Sequence, residues 1–318
     1  MNDNIDKNMK TYHKYIALAA MAISFAACEQ EDFTPTVQGD PDAVKINATI
    51  GNLQTRVAYA SDGITTFEEA DIIRVVNENR TGKNKSDALY QKTGDDWLPA
   101  DEANYLVWDG TGDNLLYASY PASSSYTEFE IPTDQSTGIT SADWMTDVYE
   151  GARSDGEAHF AFEHRLAMVT VKITQWNSEF NDRNRTVTDA SIFSKGTQLT
   201  AAYEEVVGEN GKTSIVATIT ASDGHVAITP QPNTDGDAFT VIVAPMAYSD
   251  TDKLMEFTVD STLLTVVANN STLTEGLKAG YHYTFSLRVG KEAVAIEDVA
   301  VNPWTDRIID DVETEEIY

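Results

Sequence analysis

Apolar and polar residues alternate one by one along much of this chain. The pattern is plain at Ile46-Asn47-Ala48-Thr49-Ile50 and at Ala158-His159-Phe160-Ala161-Phe162. It recurs at Val169-Thr170-Val171-Lys172-Ile173, at Phe239-Thr240-Val241-Ile242-Val243, and from Tyr283 to Val289. A period of two puts apolar side chains on one face and polar ones on the other, as a half-buried antiparallel strand requires. Turn-forming clusters separate the runs: Ser61-Asp62-Gly63, Asp109-Gly110, Glu209-Asn210-Gly211, Ser222-Asp223-Gly224 and Ala279-Gly280. No helical period lasts beyond about two turns. Leu273 to Leu277 and Ala142 to Val148 are the best short candidates. The pattern predicts an all-β fold of sandwiches or barrels.

One stretch breaks the alternation. Lys10 and Lys14 lead into an apolar run from Tyr15 to Ala27, which ends in Phe25-Ala26-Ala27-Cys28. A charged start, an apolar centre and small residues before a cleavage point make a secretory signal peptide. The run is too short to span a bilayer, for which about 20 residues are needed. Cys28 is the sole cysteine of the 318 residues, and it stands where a lipoprotein signal peptidase expects its nucleophile. The reading predicts signal cleavage between Ala27 and Cys28, lipidation of the Cys28 thiol and acylation of the new amine. Several acyl chains on one residue give stable anchoring. The competing reading, an ordinary signal peptide beside a free thiol, leaves the position of the cysteine to chance. Residues 28–42 follow as an acidic tether, with Glu29, Glu31 and Asp32 ahead of the breakers Pro35, Gly39 and Pro41. An acidic cluster directly after the lipid cysteine resembles the surface-targeting signal of some Gram-negative lipoproteins. The expected place is therefore the outer membrane, facing outward.

Charge narrows the partners. The first 27 residues carry three basic residues (Lys7, Lys10, Lys14) and two acidic ones (Asp3, Asp6). The remaining 291 keep 19 basic and 49 acidic residues, a net charge of −30. Such a surface repels nucleic acid and anionic lipid. A single cysteine allows no internal disulfide, so the fold must rest on its apolar core. The length suffices for two cores.

Thr55-Arg56, Asp134-Gln135-Ser136 with Asp143-Trp144-Met145, Phe162 to Val169 and Val301 to Trp304 occur in an order that resembles the fimbrillin family, the subunits of type V pili, including its minor-fimbrial-subunit-like branch. Thr55-Arg56-Val57-Ala58-Tyr59, then Asp62-Gly63, then Phe67 through Asp71-Ile72-Ile73-Arg74-Val75 is similar to the family's opening block, a threonine-arginine, a turn, an aromatic and a "GD-I-V" strand. Ala70 stands where the family often has glycine. Leu116-Tyr117-Ala118-Ser119-Tyr120-Pro121 resembles the "FYAYYP" strand, and Asp134-Gln135-Ser136-Thr137 with Ala142-Asp143-Trp144-Met145 resembles the "DQS…DLM" segment. Phe162-Glu163-His164-Arg165-Leu166-Ala167-Met168-Val169 resembles the "F-H-LAKV" strand. Ala244-Pro245, Leu277 to Thr284, and Val301-Asn302-Pro303-Trp304-Thr305-Asp306 complete the series in the family's order.

The resemblance implies two tandem transthyretin-like β-sandwich domains, residues 43–155 and 156–318, and assembly by strand exchange rather than chemistry. In that family an arginine-specific, gingipain-type protease cuts after the first strand, and a neighbour's strand fills the groove. Here the departing strand would run from Ala43 to about Leu53, with Ile46, Ala48 and Ile50 inward. Arg56 is the candidate processing residue; structurally it could equally be a solvated strand-edge arginine. The implied partners are other fimbrial subunits, in a homo- or hetero-polymer, the outer membrane through Cys28, and a host or bacterial surface receptor. Near the carboxy terminus Ile308, Val312 and Tyr318 share one parity but are interleaved with Asp310, Thr314 and Glu316. So polar a donor strand favours a tip or accessory subunit, or a donor segment lying elsewhere, over a regular stalk subunit.

Other chemistry finds little support. His159 and His164 are five apart on a strand and face opposite ways, so they cannot form a two-ligand metal face. Asp109 to Asn114 has a calcium-loop flavour but lacks the closing bidentate glutamate, and reads as a hairpin turn. No nucleophile elbow, P-loop or dinucleotide fingerprint is present, and no enzymatic activity, metal or cofactor is expected. Asp260-Ser261-Thr262 resembles a three-residue O-glycosylation acceptor, too short to weigh. The alternative function is a glycan-binding surface lipoprotein. It requires two or three of Trp97, Trp108, Trp144, Trp176 and Trp304 on one exposed face, whereas the pilin reading wants them buried.

Overall fold

The computed structural model describes residues 40–51, 66–180, 185–207, 213–222 and 224–304. Ala27, Cys28 and Arg56 lie outside the described residues. The first eight strands are β1 (Lys45–Ile50), β2 (Ile72–Asn77), β3 (Asp87–Thr93), β4 (Asp96–Pro99), β5 (Asn114–Tyr120), β6 (Glu128–Glu130), β7 (Met145–Gly151) and β8 (Glu157–His164). β9 (Ala167–Trp176), β10 (Val187–Ser194), β11 (Gln198–Val207), β12 (Thr213–Ala221), β13 (Val226–Ile228), β14 (Gln231–Pro232) and β15 (Ala238–Val243) follow. β16 (Lys253–Val259), β17 (Thr262–Val267), the short helix α1 (Ser271–Glu275), β18 (Tyr281–Val289) and β19 (Val294–Pro303) complete the series.

The alternating runs lie where the pattern puts them, in β1, β8, β9, β15 and β18. In β1 the inward residues Ile46, Ala48 and Ile50 are buried. α1 overlaps the Leu273–Leu277 candidate, with Asn270 accepting the Thr272 N–H at its start (2.9 Å). Ala142 to Val148 is not helical. A single 3-10 turn at Thr140–Ala142 gives way to β7, which pairs along its length with β5. Cross-strand pairing outweighs a helical period this short.

The described residues from Asp40 onward form one compact unit with two hydrophobic cores. The first is enclosed by β1-β4-β3-β2-β5-β7-β8, hydrogen-bonded in that order into a closed barrel. The strands of the sandwich implied for residues 43–155 are hydrogen-bonded edge to edge here into one continuous sheet. It closes because β1 pairs on both sides, with β8 and with β4. A four-stranded sheet (β13-β10-β16-β17) and a five-stranded one (β14-β15-β9-β18-β19) supply most of the second core, and β12-β11-β6 adds a third layer.

Neither core is contiguous in sequence. β8 pairs with β1 and β7 and gives Ala158, Phe160 and Phe162 to the first core, although its sequence lies past residue 155. Conversely, the excursion between β5 and β7 sends Ile131, Ala142 and Trp144 into the second core. The chain passes from one core to the other between His164, the last residue of β8, and Ala167, the first of β9.

Candidate functional site

The feature that sets the barrel apart is the seat of its first strand. β1 runs parallel to β8 over six register pairs, Lys45–Glu157 to Ile50–Phe162, while every other pairing in the barrel is antiparallel. On its other side β1 meets β4 at one register pair, Ile46 with Trp97. Val44 and Ile46 are 0 % and 4 % exposed, Ala48 8 % and Ile50 5 %. The same core holds Phe67, Trp97, Tyr120 and Phe162. Phe67 meets the other three rings at centroid distances of 5.0, 5.6 and 5.3 Å in edge-on geometry.

Polar groups fix the strand's height along this seat. The Trp97 indole N–H donates to the Ala48 carbonyl (3.2 Å), and the Gly51 N–H donates to that of Phe162 (2.7 Å). The Tyr90 hydroxyl accepts the Leu106 N–H (3.0 Å) and donates to the Val44 carbonyl (3.5 Å). Burial pushes the Tyr90 phenol well above its ordinary range, so it stays protonated and keeps that donor. Before β1, the Val44 N–H donates to Leu106 and the Trp108 N–H to Asp42. Asp42 also pairs with Arg153. Asp40 accepts from the Tyr105 hydroxyl (2.9 Å) and Lys85 (3.3 Å). The Asp42 backbone N–H and the Tyr105 hydroxyl hold the Asp40 carboxyl below its usual range.

What this arrangement does is hold a strand. Burying Val44, Ile46 and Ile50 is worth about 5–9 kcal/mol by transfer bookkeeping, an upper bound. That is comparable with the whole stability of a typical domain. Without β1 the barrel would expose this apolar seat and the unpaired main chain of β8, a template for an added strand.

The remaining candidates fall elsewhere. His159 is exposed beside Glu157, and His164 is buried against Asp143 (2.8 Å). His282 bonds Thr170 (2.8 Å), and His225 bonds the Lys253 carbonyl. Among the described residues no three His, Cys, Asp or Glu side chains are grouped to hold a metal. Asp109, in the loop with calcium flavour, is paired with Arg80 and Lys83, and the Asn114 amide oxygen accepts the Asp109 N–H. Trp97, Trp108, Trp144 and Trp304 are buried and Trp176 is half-buried, which leaves no tryptophan platform for a sugar. Among the described residues no helix is long and apolar enough to cross a membrane.

Two long-range partners of β1 escape a sequence reading. Trp97 carries no local signal that its indole will hold Ala48, and the parallel pairing with β8 joins residues more than a hundred positions apart. Phe67, by contrast, is visible as the aromatic of the opening block.

This strand seat lies in a chain whose residues 55–304 match the model of the fimbrillin-like family. The chain belongs to that family. Its fold is shared with a candidate cell adhesion protein from Bacteroides uniformis, at 20% identity over 83% of this chain and 98% of the other, TM-score 0.57. A second, from Bacteroides ovatus, aligns at 16% identity over the same shares with a TM-score of 0.53. No curated protein matches the chain in sequence.

Proposed function

We propose that this chain is a structural or adhesive subunit of a surface fimbrium, exported as a precursor anchored in the outer membrane through lipid on Cys28 and then joined to a neighbour by exchange of β1. The observation that carries the reading is the seat itself: the first described strand, parallel to β8, completes a core that is otherwise ready to accept another strand. Arg56 lies six residues beyond Ile50 in the polar stretch Asn52, Gln54, Thr55. A cut there turns an intramolecular strand into a dissociable peptide, which a tethered neighbour at high effective concentration can replace. Family membership supports the fimbrial class. The polar carboxy terminus supports a tip or accessory place over a stalk one.

The test is Arg56→Ala in cells that make fibres. The variant should fold and remain membrane-bound but fail to enter fibres as an acceptor. Its normal incorporation, with residues 28–55 still attached, would sink the exchange mechanism and leave the fold untouched.

A further inference from the structure

The hairpin of β11 and β12 outgrows the core it starts from. At its base Leu199, Ala201 and Ala221 are buried, whereas further out Val207 is 68 % and Val216 46 % exposed. β6 covers β11 over three residues at that base. The outer edge of β12 has no strand partner among the described residues.

Exposed edges ordinarily carry a charge, a proline or a bulge that blocks further pairing. β12 carries none of these. From Thr213 to Ala221 it holds no charged residue, proline or glycine, in a chain with 51 acidic residues. Its register with β11 runs unbroken over nine pairs. The other long edges differ: β19 contains Glu297, Asp298 and a register shift against β18, and β17 is shorter and lies beside β19.

β12 is also close to a palindrome about Ala217. The β-branched Val216 and Thr218 flank it, and Ile215 and Ile219 lie beyond them. In an antiparallel self-pairing with its two-fold axis at Ala217, that residue faces its own counterpart, Ile215 faces Ile219, and Val216 faces Thr218. Ile215, Ala217 and Ile219 share the hairpin face that continues from the second core, since they sit opposite Glu205, Tyr203 and Ala201. The pairing would therefore merge two apolar stripes into one and supply about nine main-chain hydrogen bonds.

We infer that β12 is a lateral contact surface whose partner is a second copy of this chain, added edge to edge into a six-stranded sheet. The acidic surface does not oppose it. Glu204 and Glu205 stand on β11, one strand in from the seam, and the two β11 strands would be three strand spacings apart. At about 14 Å that exceeds the screening length of about 8 Å at physiological salt. The contact lies on a different sheet from the seat of β1 and does not depend on strand exchange.

Cysteine and charge-swap variants of the full-length chain test the inference. Under mild oxidation on cells, Ala217→Cys should give a disulfide-linked dimer, because facing Cα atoms across such a seam lie about 4.5–5.5 Å apart. Thr218→Cys sits two residues out of step with its counterpart, about 7–8 Å away, and should cross-link about tenfold less. The unsubstituted chain, with Cys28 alone, sets the background. In the second arm, Ala217→Lys and Ala217→Glu should each weaken self-association about tenfold or more by placing like charges face to face. Mixed together under two tags, they should pair to within about threefold of the original chain. Melting curves check that both variants fold; should either fail to, the cysteine arm decides. No dimer above background from Ala217→Cys, equal yields from the two cysteine positions, or folded charge variants that do not pair when mixed would overturn the inference.

Discussion

β1 and β19 each bound a core of this molecule, but they do so in different ways. β1 lies between β8 and β4 and keeps Ile46, Ala48 and Ile50 at 8 % exposure or less. β19 runs along one side of β18 at the edge of its sheet. It leans Val294, Ile296 and Val299 on the second core while Val301 is 43 % exposed. Taking away β1 opens a core; taking away β19 strips an edge. A strand is worth replacing where it completes a core, because the apolar seat left behind supplies the driving force for its successor.

The comparison can be broken most forcefully by putting a charge into each strand. Ile46→Asp removes a buried side chain and buries an unpaired carboxylate, and should destabilise the first core by about 4 kcal/mol or more. Val299→Asp, on the half-buried face of β19, should cost about 1 kcal/mol. Denaturant unfolding with site-resolved hydrogen exchange reads both; equal costs would erase the distinction between core-completing and edge strands.

Acid should next separate the two cores. On β7 of the barrel, burial raises the Asp147 carboxyl to about 6, against the pull of the Ala161 and Val148 N–H groups and of Arg165. The native state then binds the proton more tightly than the unfolded chain, so this group adds stability as pH falls from about 6 to 4. On β18 of the second core, burial lowers His282 to about 4. Here the unfolded chain binds the proton more tightly, so stability is lost as pH falls from about 6.5 to 4. Each effect is on the order of 3 kcal/mol at most. Asp147→Asn should flatten the pH dependence of the first core and His282→Gln that of the second, as followed by exchange protection between pH 4 and 7. A loss of stability on acidification that Asp147→Asn leaves unchanged and His282→Gln transfers to the barrel would contradict the assignment.

The smallest effect sharpens the barrel alone. Ala70 has φ 72°, in the left-handed region that costs a residue with a side chain about 1–2 kcal/mol. Ala70→Gly relieves this but adds freedom to the unfolded chain, so a net gain of about 0.5–1 kcal/mol is expected in thermal melting.

Ala70 also shows what a sequence can reveal. The motif this stretch resembles has a glycine at that point, which implies a left-handed backbone, and Ala70 has one. Strand parity was legible for the same local reason: Ile46, Ala48 and Ile50 alternate because one face of β1 is buried. What escaped was long-range. The Ala142–Val148 stretch has two short periods to choose from, and its pairing with β5 decides between them. The passage from core to core near Arg165 is hidden because only Arg165 and Leu166 separate β8 from β9, with no turn-forming residue between them. Whether β1 closes a barrel or borders an open sheet depends on one register pair with β4, for which no spacing or turn in the sequence speaks.

The central claim, that β1 is a replaceable strand, is tested most directly by native mass spectrometry of the chain before and after cleavage at Arg56, in the presence of excess isotope-labelled peptide spanning Ala43 to Leu53. The account predicts that the uncut chain takes up no peptide, while the cut chain exchanges its own first strand for the labelled one at a one-to-one ratio and remains folded. A cut chain that keeps its original strand indefinitely, or that loses it without accepting the peptide, would contradict the claim.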